Sequence, residues 1–99
     1  MFETDSKKVL LHKEVCDSLT PLYVRKNTDY QDSFAKGVEK RGPSSALDRM
    51  GDKLNRAEAL LSGATQQVTD ESIDDTLIDL ANYAIMFLVE LRMKRLEKS

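Results

Sequence analysis

One stretch near the carboxyl end of this chain limits its possible folds more than any other. Residues 84–89 read Ala-Ile-Met-Phe-Leu-Val and lie inside a longer segment with helical periodicity. A helix that is apolar on every side is normally surrounded by protein. The chain has 99 residues, which are too few to wrap one helix completely. We therefore expect a homo-oligomer, a dimer or higher, with this helix central to the contact between subunits.

The composition favours a single all-α domain over residues 1–99. Four Gly, two Pro and no Trp supply too few turns for a β-sandwich or barrel. One cysteine, Cys16, and one histidine, His12, exclude an internal disulfide framework and multi-Cys or multi-His metal sites. We interpret Cys16 as a small core residue and His12 as a surface residue. No membrane span or signal-peptide pattern is visible, so we expect a cytoplasmic protein without membrane contact.

Apolar spacing predicts an antiparallel bundle of three to five helices. The first helix spans about residues 6–25, and Pro21 breaks or kinks it before a continuation towards residue 34. Residues 37–43 are predicted as a loop. The second helix runs to about Ser62, with Ser45 as its N-cap and Gly63 after its end. Thr69 or Asp70 caps the third helix, which runs to about residue 96.

Each predicted helix carries an apolar stripe that we expect to form the core. The stripes are Leu11, Val15, Leu19 and Leu22 on the first helix; Leu47, Met50, Leu54, Ala57 and Leu61 on the second; and Ile73, Leu77, Leu80, Ala84, Leu88 and Leu91 on the third.

Charge is distributed unevenly along the chain. Residues 25–56 carry eight basic and five acidic groups, whereas residues 57–91 carry seven acidic groups and no Lys or Arg. The two segments either complement each other structurally or form a site that needs both signs, such as cations for phosphates and carboxylates for a metal.

Two polar stripes lie opposite the predicted core faces. On the second helix, two arginines could fork onto phosphate and a lysine could add a point charge. On the third, acidic and amide side chains one turn apart could line a pocket or share Mg²⁺. Solvated helix faces explain both stripes equally simply. The stripes are Arg49, Asp52, Lys53 and Arg56, and Asp75, Asp79 and Asn82.

A third candidate segment contains Lys26, Tyr30 and Phe34. A nucleotide base could stack on Tyr30, although two aromatic residues one turn apart also suit a core.

These residues together resemble a known family. The strings Lys26 to Phe34, Arg49-Met50-Gly51-Asp52-Lys53-Leu54-Asn55-Arg56 and Asp79-Leu80-Ala81-Asn82-Tyr83-Ala84 look like the first of the nucleotide-modification-associated domains, small and mostly phage and bacterial proteins. The resemblance covers about residues 8–93.

That family is similar in turn to all-α nucleoside triphosphate pyrophosphohydrolases of the MazG and dimeric dUTPase type. The similarity implies a Mg²⁺ site, here Asp52, Glu71, Asp75 and Asp79, with Asp75 as the catalytic candidate. The sequence departs from the pattern because Ser72 stands where a Glu is expected.

Three functions follow as hypotheses. The first is a non-catalytic binder that sequesters a nucleotide in an intersubunit pocket and requires no cofactor. The resemblance implies a phage-encoded protein in the host cytoplasm that captures a defence signal such as a cyclic nucleotide or ADP-ribose derivative. The second is a Mg²⁺-dependent pyrophosphohydrolase, and the third is a helical interaction module. No nucleic-acid polymer is expected as a partner. The predicted ligand-binding residues are Lys26, Tyr30, Arg49, Asp52, Lys53, Arg56, Asp79, Asn82 and Tyr83.

Overall fold

The computed structural model describes residues 3–63 and 72–98, and within these ranges all regular elements are α-helices. They are α1 (Glu3–Asp29), α2 (Ser33–Arg41), α3 (Ser44–Ser62) and α4 (Ile73–Lys98). The all-α prediction is confirmed. Contacts divide the chain into two compact units, Met1–Asp32 and Ser33–Ser99, while the expected single domain stays a prediction. None of the described helices is long and apolar enough to cross a membrane.

The first unit contains α1, which continues through Pro21. The helix is therefore not broken at this proline, although proline removes one backbone hydrogen bond, and the alternative of a kink stays a prediction. The helix ends at Asp29 and is followed by Gln31 and Asp32, whose φ angles of 54° and 59° are left-handed. The amide of Asp32 donates to the carbonyl of Asn27 at 3.1 Å, a bond that commonly closes helix ends.

The predicted core stripe of α1 is only partly buried. Leu19 is buried, whereas Leu11 is 60% exposed and Val15 50% exposed. Cys16 is also exposed, so its interpretation as a core residue is wrong. The Cys16 thiol lies 3.6 Å from Nδ1 of His12, which is exposed as predicted.

The second unit begins with α2, and its extent corrects the predicted loop over residues 37–43. Residues 37–41 are helical, and only Gly42 and Pro43 interrupt the chain before α3. Gly37 and Val38 are buried, and this packing offsets the low helix propensity of glycine. Gly42 has a left-handed φ of 87°, which glycine adopts without strain.

The two ends of α3 differ from each other in their capping. Pro43 occupies the N-cap position and no side chain caps the helix there, so the predicted cap at Ser45 is wrong. The predicted role of Gly63 is confirmed. Its φ is 71° and its N–H donates to the carbonyl of Leu60, as expected of a glycine that ends a helix.

Ser72 caps α4 through its side chain. Its hydroxyl accepts the N–H of Asp75 at 3.1 Å, and its carbonyl accepts the hydroxyl of the fully buried Thr76 at 2.9 Å. The predicted caps Thr69 and Asp70 lie outside the described residues.

A small apolar cluster holds the second unit together. Phe34, Val38 and Ala46 are buried, and Tyr83, Met86 and Phe87 pack against them. The early turns of α3 therefore adjoin the middle of α4, whereas Lys53, further along α3, contacts Asp79, which lies earlier on α4. The two helices are consequently antiparallel, as predicted.

The predicted core faces of α3 and α4 are only partly buried: Ala57 is buried as predicted, whereas several of the leucines are exposed. Leu47, Leu54 and Leu61 are 57%, 50% and 73% exposed. On α4, Leu77 and Leu88 are 47% and 43% exposed, and Ala84 is exposed as well. The buried residues of α3 are Ala46 and Ala57. Small side chains allow two helices to approach closely, and α4 lies against this face rather than against the leucines.

Candidate functional site

The charged faces of α3 and α4 meet each other. Nζ of Lys53 lies 2.9 Å from Oδ2 of Asp79, and the two side chains are only 21% and 18% exposed. Both residues belong to the predicted ligand-binding set, and the fold joins them across two helices. We call Arg49, Lys53, Arg56 and Asp79 the polar seam.

The two arginines of the polar seam flank Lys53 at one-turn spacing. Arg49 and Arg56 are both half-buried. The guanidinium carbon of Arg49 lies 5.9 Å from the ring centroid of Phe34, within the range of a cation–π contact. Nε of Arg56 is enclosed and donates no hydrogen bond within the described part of the chain, although the residue takes part in other interactions. Three cationic groups thus lie along one partly enclosed helix face.

An aromatic pair adjoins Arg49. The rings of Phe34 and Tyr83 are stacked, with centroids 5.8 Å apart and planes inclined by 15°. Phe34 is 4% exposed, while Tyr83 is half-buried. The sequence analysis paired Phe34 with Tyr30 in one candidate segment and did not include it among the predicted ligand-binding residues. Its contacts depend on how α2 packs against α3 and α4, which apolar spacing along one helix does not reveal.

Asn82 precedes Tyr83 on α4 and is 7% exposed. A buried amide usually has a partner, and an amide can both donate to and accept from a ligand. Among the predicted ligand-binding residues, Asn82 is the one that the structure buries.

The structure does not test the roles of five other predicted site residues. Asp52 and Asp75 are exposed, and Glu71 lies outside the described residues. Lys26 and the 65% exposed Tyr30 belong to the first unit. Their roles stay predictions.

The predicted metal ligands do not form a cluster in the part of the chain that the structure describes. Within residues 3–63 and 72–98, no three His, Cys, Asp or Glu side chains gather closely enough to hold a metal ion. Asp79 of that set is half-buried and contacts the ammonium group of Lys53. The described part of the site thus combines three cationic side chains, one carboxylate and a pair of aromatic rings.

Comparison with known proteins gives one result that matches this chemistry. No curated protein and no solved structure is significantly similar to the chain. The sequence profile of the family described as nucleotide modification associated domain 1 matches residues 26–91. That range contains α2, α3 and every residue of the polar seam. The match covers about two thirds of the chain, and the protein belongs to the nucleotide modification associated domain 1 family.

Proposed function

We propose that this protein binds a nucleotide non-covalently and retains it without cleaving it. The phosphates contact the polar seam, where Arg49 and Arg56 offer planar guanidinium groups and Lys53 a compact charge. The base lies near Tyr83, whose ring is already half of an aromatic stack. Asp79 and Asn82 supply an acceptor and an amide for the ribose or the base edge.

The ion pair between Lys53 and Asp79 carries this proposal. A pair of packed helices gains most from burying leucines, yet here the charged faces meet while Leu54 and Leu77 are about half exposed. Enclosing two charges requires their desolvation, so such a pair gives little net stability. Partly enclosed charges gathered beside aromatic rings are instead common at functional sites.

Family membership supports the same ligand class, since the family is described by its association with nucleotide modification. Sequestration of a signalling nucleotide, such as a cyclic nucleotide or an ADP-ribose derivative, is the form of binding that we favour. The polar seam contains three cationic side chains and one carboxylate, a balance that suits an anionic ligand.

Thermal shift against a nucleotide panel tests the proposal. The panel contains mono-, di- and triphosphates, cyclic nucleotides and ADP-ribose, each with Mg²⁺ and with EDTA. A ligand at 100 times its Kd stabilises the folded state by about 2.7 kcal/mol, which raises the Tm by roughly 10 °C or more for a domain of this size. We expect a shift that persists in EDTA. A panel without any response contradicts the proposal and favours a helical interaction module.

Variants localise the response. Arg49→Gln and Lys53→Met remove one charge each from the polar seam and should reduce the shift at fixed ligand concentration at least several-fold. Lys98→Met removes the same charge at the exposed end of α4 and should leave the shift unchanged. Circular dichroism without ligand identifies any variant that has lost its fold. A shift equally reduced in all three variants would indicate non-specific charge attraction.

Hydrolysis is the competing function, and mass spectrometry of the incubated ligand separates the two. We expect heat to release an intact nucleotide from the protein. Release of phosphate or pyrophosphate that requires Mg²⁺ and is lost in Asp75→Ala would instead support the pyrophosphohydrolase hypothesis. Asp75 is exposed at the first turn of α4, so this substitution leaves the packed residues intact.

A further inference from the structure

An apolar face of α4 is left exposed by the helices of its own unit. Leu77 and Leu88 are 47% and 43% exposed, Ala84 is exposed and Ala81 is half-buried. These four residues follow each other at spacings of four, three and four, which is the spacing of helices that pair along their length. We propose that a second copy of this chain covers this face with its own α4, in antiparallel orientation. This inference goes beyond the proposed function and does not depend on it.

The spacing of the four residues is self-complementary. Leucine, alanine, alanine and leucine occur at 77, 81, 84 and 88, so the pattern reads the same in both directions. A two-fold axis between residues 82 and 83 places Leu77 opposite the partner subunit's Leu88, and Ala81 opposite the partner subunit's Ala84. Alanines at the centre let the helix axes approach closely, and leucines close both ends of the contact. A two-fold dimer requires this kind of self-complementary patch, whereas an unrelated partner does not.

Charges beyond the apolar face favour the antiparallel orientation. Asp74 is exposed at the start of α4, and Arg92 and Arg95 are exposed near its end. In the antiparallel arrangement Asp74 lies within about one turn of the partner subunit's Arg92 and Arg95. A parallel arrangement would place like charges together at both ends. Antiparallel packing also sets opposite ends of the two helix dipoles side by side.

Molecular mass in solution tests the contact. Sedimentation equilibrium without nucleotide should give twice the chain mass of 11.2 kDa, or a larger even multiple. Leu88→Glu places a charge in the face and should reduce the mass by half or more. The matched control is Leu61→Glu, because Leu61 is 73% exposed on α3 and lies outside the face. It should leave the mass unchanged.

Three results would overturn the proposal. They are a monomeric wild-type chain at high micromolar concentration, an unchanged mass in Leu88→Glu, and equal dissociation by the two glutamate variants. A monomer would indicate that a segment of the same chain covers the face. Because no nucleotide is present, these masses are independent of the thermal-shift result, and either proposal can fail alone.

Disulfide cross-linking tests the orientation. In a Cys16→Ser background, Leu77→Cys and Leu88→Cys chains should cross-link when mixed and remain uncross-linked when each is oxidised alone. Positions 77 and 88 are separated by 11 residues, about 16 Å along a helix, and a disulfide spans at most about 7 Å between Cα atoms. Cross-linking of either chain with itself would indicate parallel helices and contradict the proposal.

Discussion

The ammonium nitrogen of Lys53 lies 2.9 Å from a carboxylate oxygen of Asp79, and this ion pair joins α3 to α4. Both side chains are about four-fifths buried, so the pair is neither a surface contact that solvent screens nor a fully dry one. Removing one partner leaves the other charge partly enclosed without its counter-charge, which is the costly part of breaking such a pair. This coupling can be measured directly.

Lys53→Met and Asp79→Leu should each lower the free energy of unfolding by about 1–3 kcal/mol. The double variant should lose less than the sum, because no stranded charge remains from this pair. Urea denaturation of the four proteins gives the coupling energy. We expect at least about 1 kcal/mol, and losses that add to within about 0.5 kcal/mol would show that the two residues do not interact in solution.

Two glycines of the second unit should respond oppositely to alanine. Gly51 lies inside α3, and a Cβ there would have no neighbour within 4 Å in the described structure. Gly51→Ala should therefore raise the free energy of unfolding by about 0.5–1 kcal/mol through helix propensity. Gly63 has a φ of 71°, so Gly63→Ala should lower the free energy of unfolding by about 1 kcal/mol.

Thermal melts of the two glycine variants check these signs. A Gly51→Ala variant that is more stable but shows no nucleotide-induced thermal shift would indicate a role for Gly51 in ligand binding. It would indicate that the ligand approaches the backbone of α3 there.

Ser72→Ala should lower the free energy of unfolding by about 1 kcal/mol, because the amide of Asp75 loses its side-chain acceptor. The control is Ser44→Ala at the start of α3, where no side chain caps the helix. That variant should stay within about 0.5 kcal/mol of wild type. Chemical denaturation measures both, and equal effects would contradict the cap assignment.

The two rings of the aromatic stack should differ in their importance for stability. Phe34 is 4% exposed, and Phe34→Ala should lower the free energy of unfolding by about 3–5 kcal/mol through lost burial and a cavity. Tyr83→Phe retains the stacked ring and should change it by less than about 0.5 kcal/mol. Thermal melts measure the two effects. A mild effect of Phe34→Ala would show that α2 does not anchor the second unit.

Helical content was predictable from sequence because it depends on spacing and on residues that act locally. The apolar periodicity indicated the helices, and Gly63 ended α3 through its own left-handed conformation. Predictions failed where non-local contacts compete with local preference. Burial of Gly37 and Val38 extends α2 through the predicted loop. Pro21 is a different case, because α1 continues through it although proline lacks the N–H of one backbone hydrogen bond.

The candidate site was predictable in its residue types and not in its arrangement. Spacing alone put Lys53 on one polar stripe and Asp79 on another, and solvated faces explained both. Only the antiparallel packing of α3 and α4 brings those side chains within 2.9 Å. Phe34 likewise belongs to the site only because the helices pack together. Its ring stacks on Tyr83, which lies 49 positions further along the sequence.

The sequence by itself determined that the chain is helical and which residues share a face of each helix, because a helix places residues by a fixed rotation of about 100°. Tertiary structure decided which face is turned inward. On α3, the buried residues are the small Ala46 and Ala57. Lys53 of the same helix contacts Asp79 of α4, and Leu54 remains about half exposed. Apolar periodicity cannot distinguish a leucine stripe that packs inside its own subunit from a stripe that stays exposed on the surface. Covering either stripe would remove the same apolar surface from water.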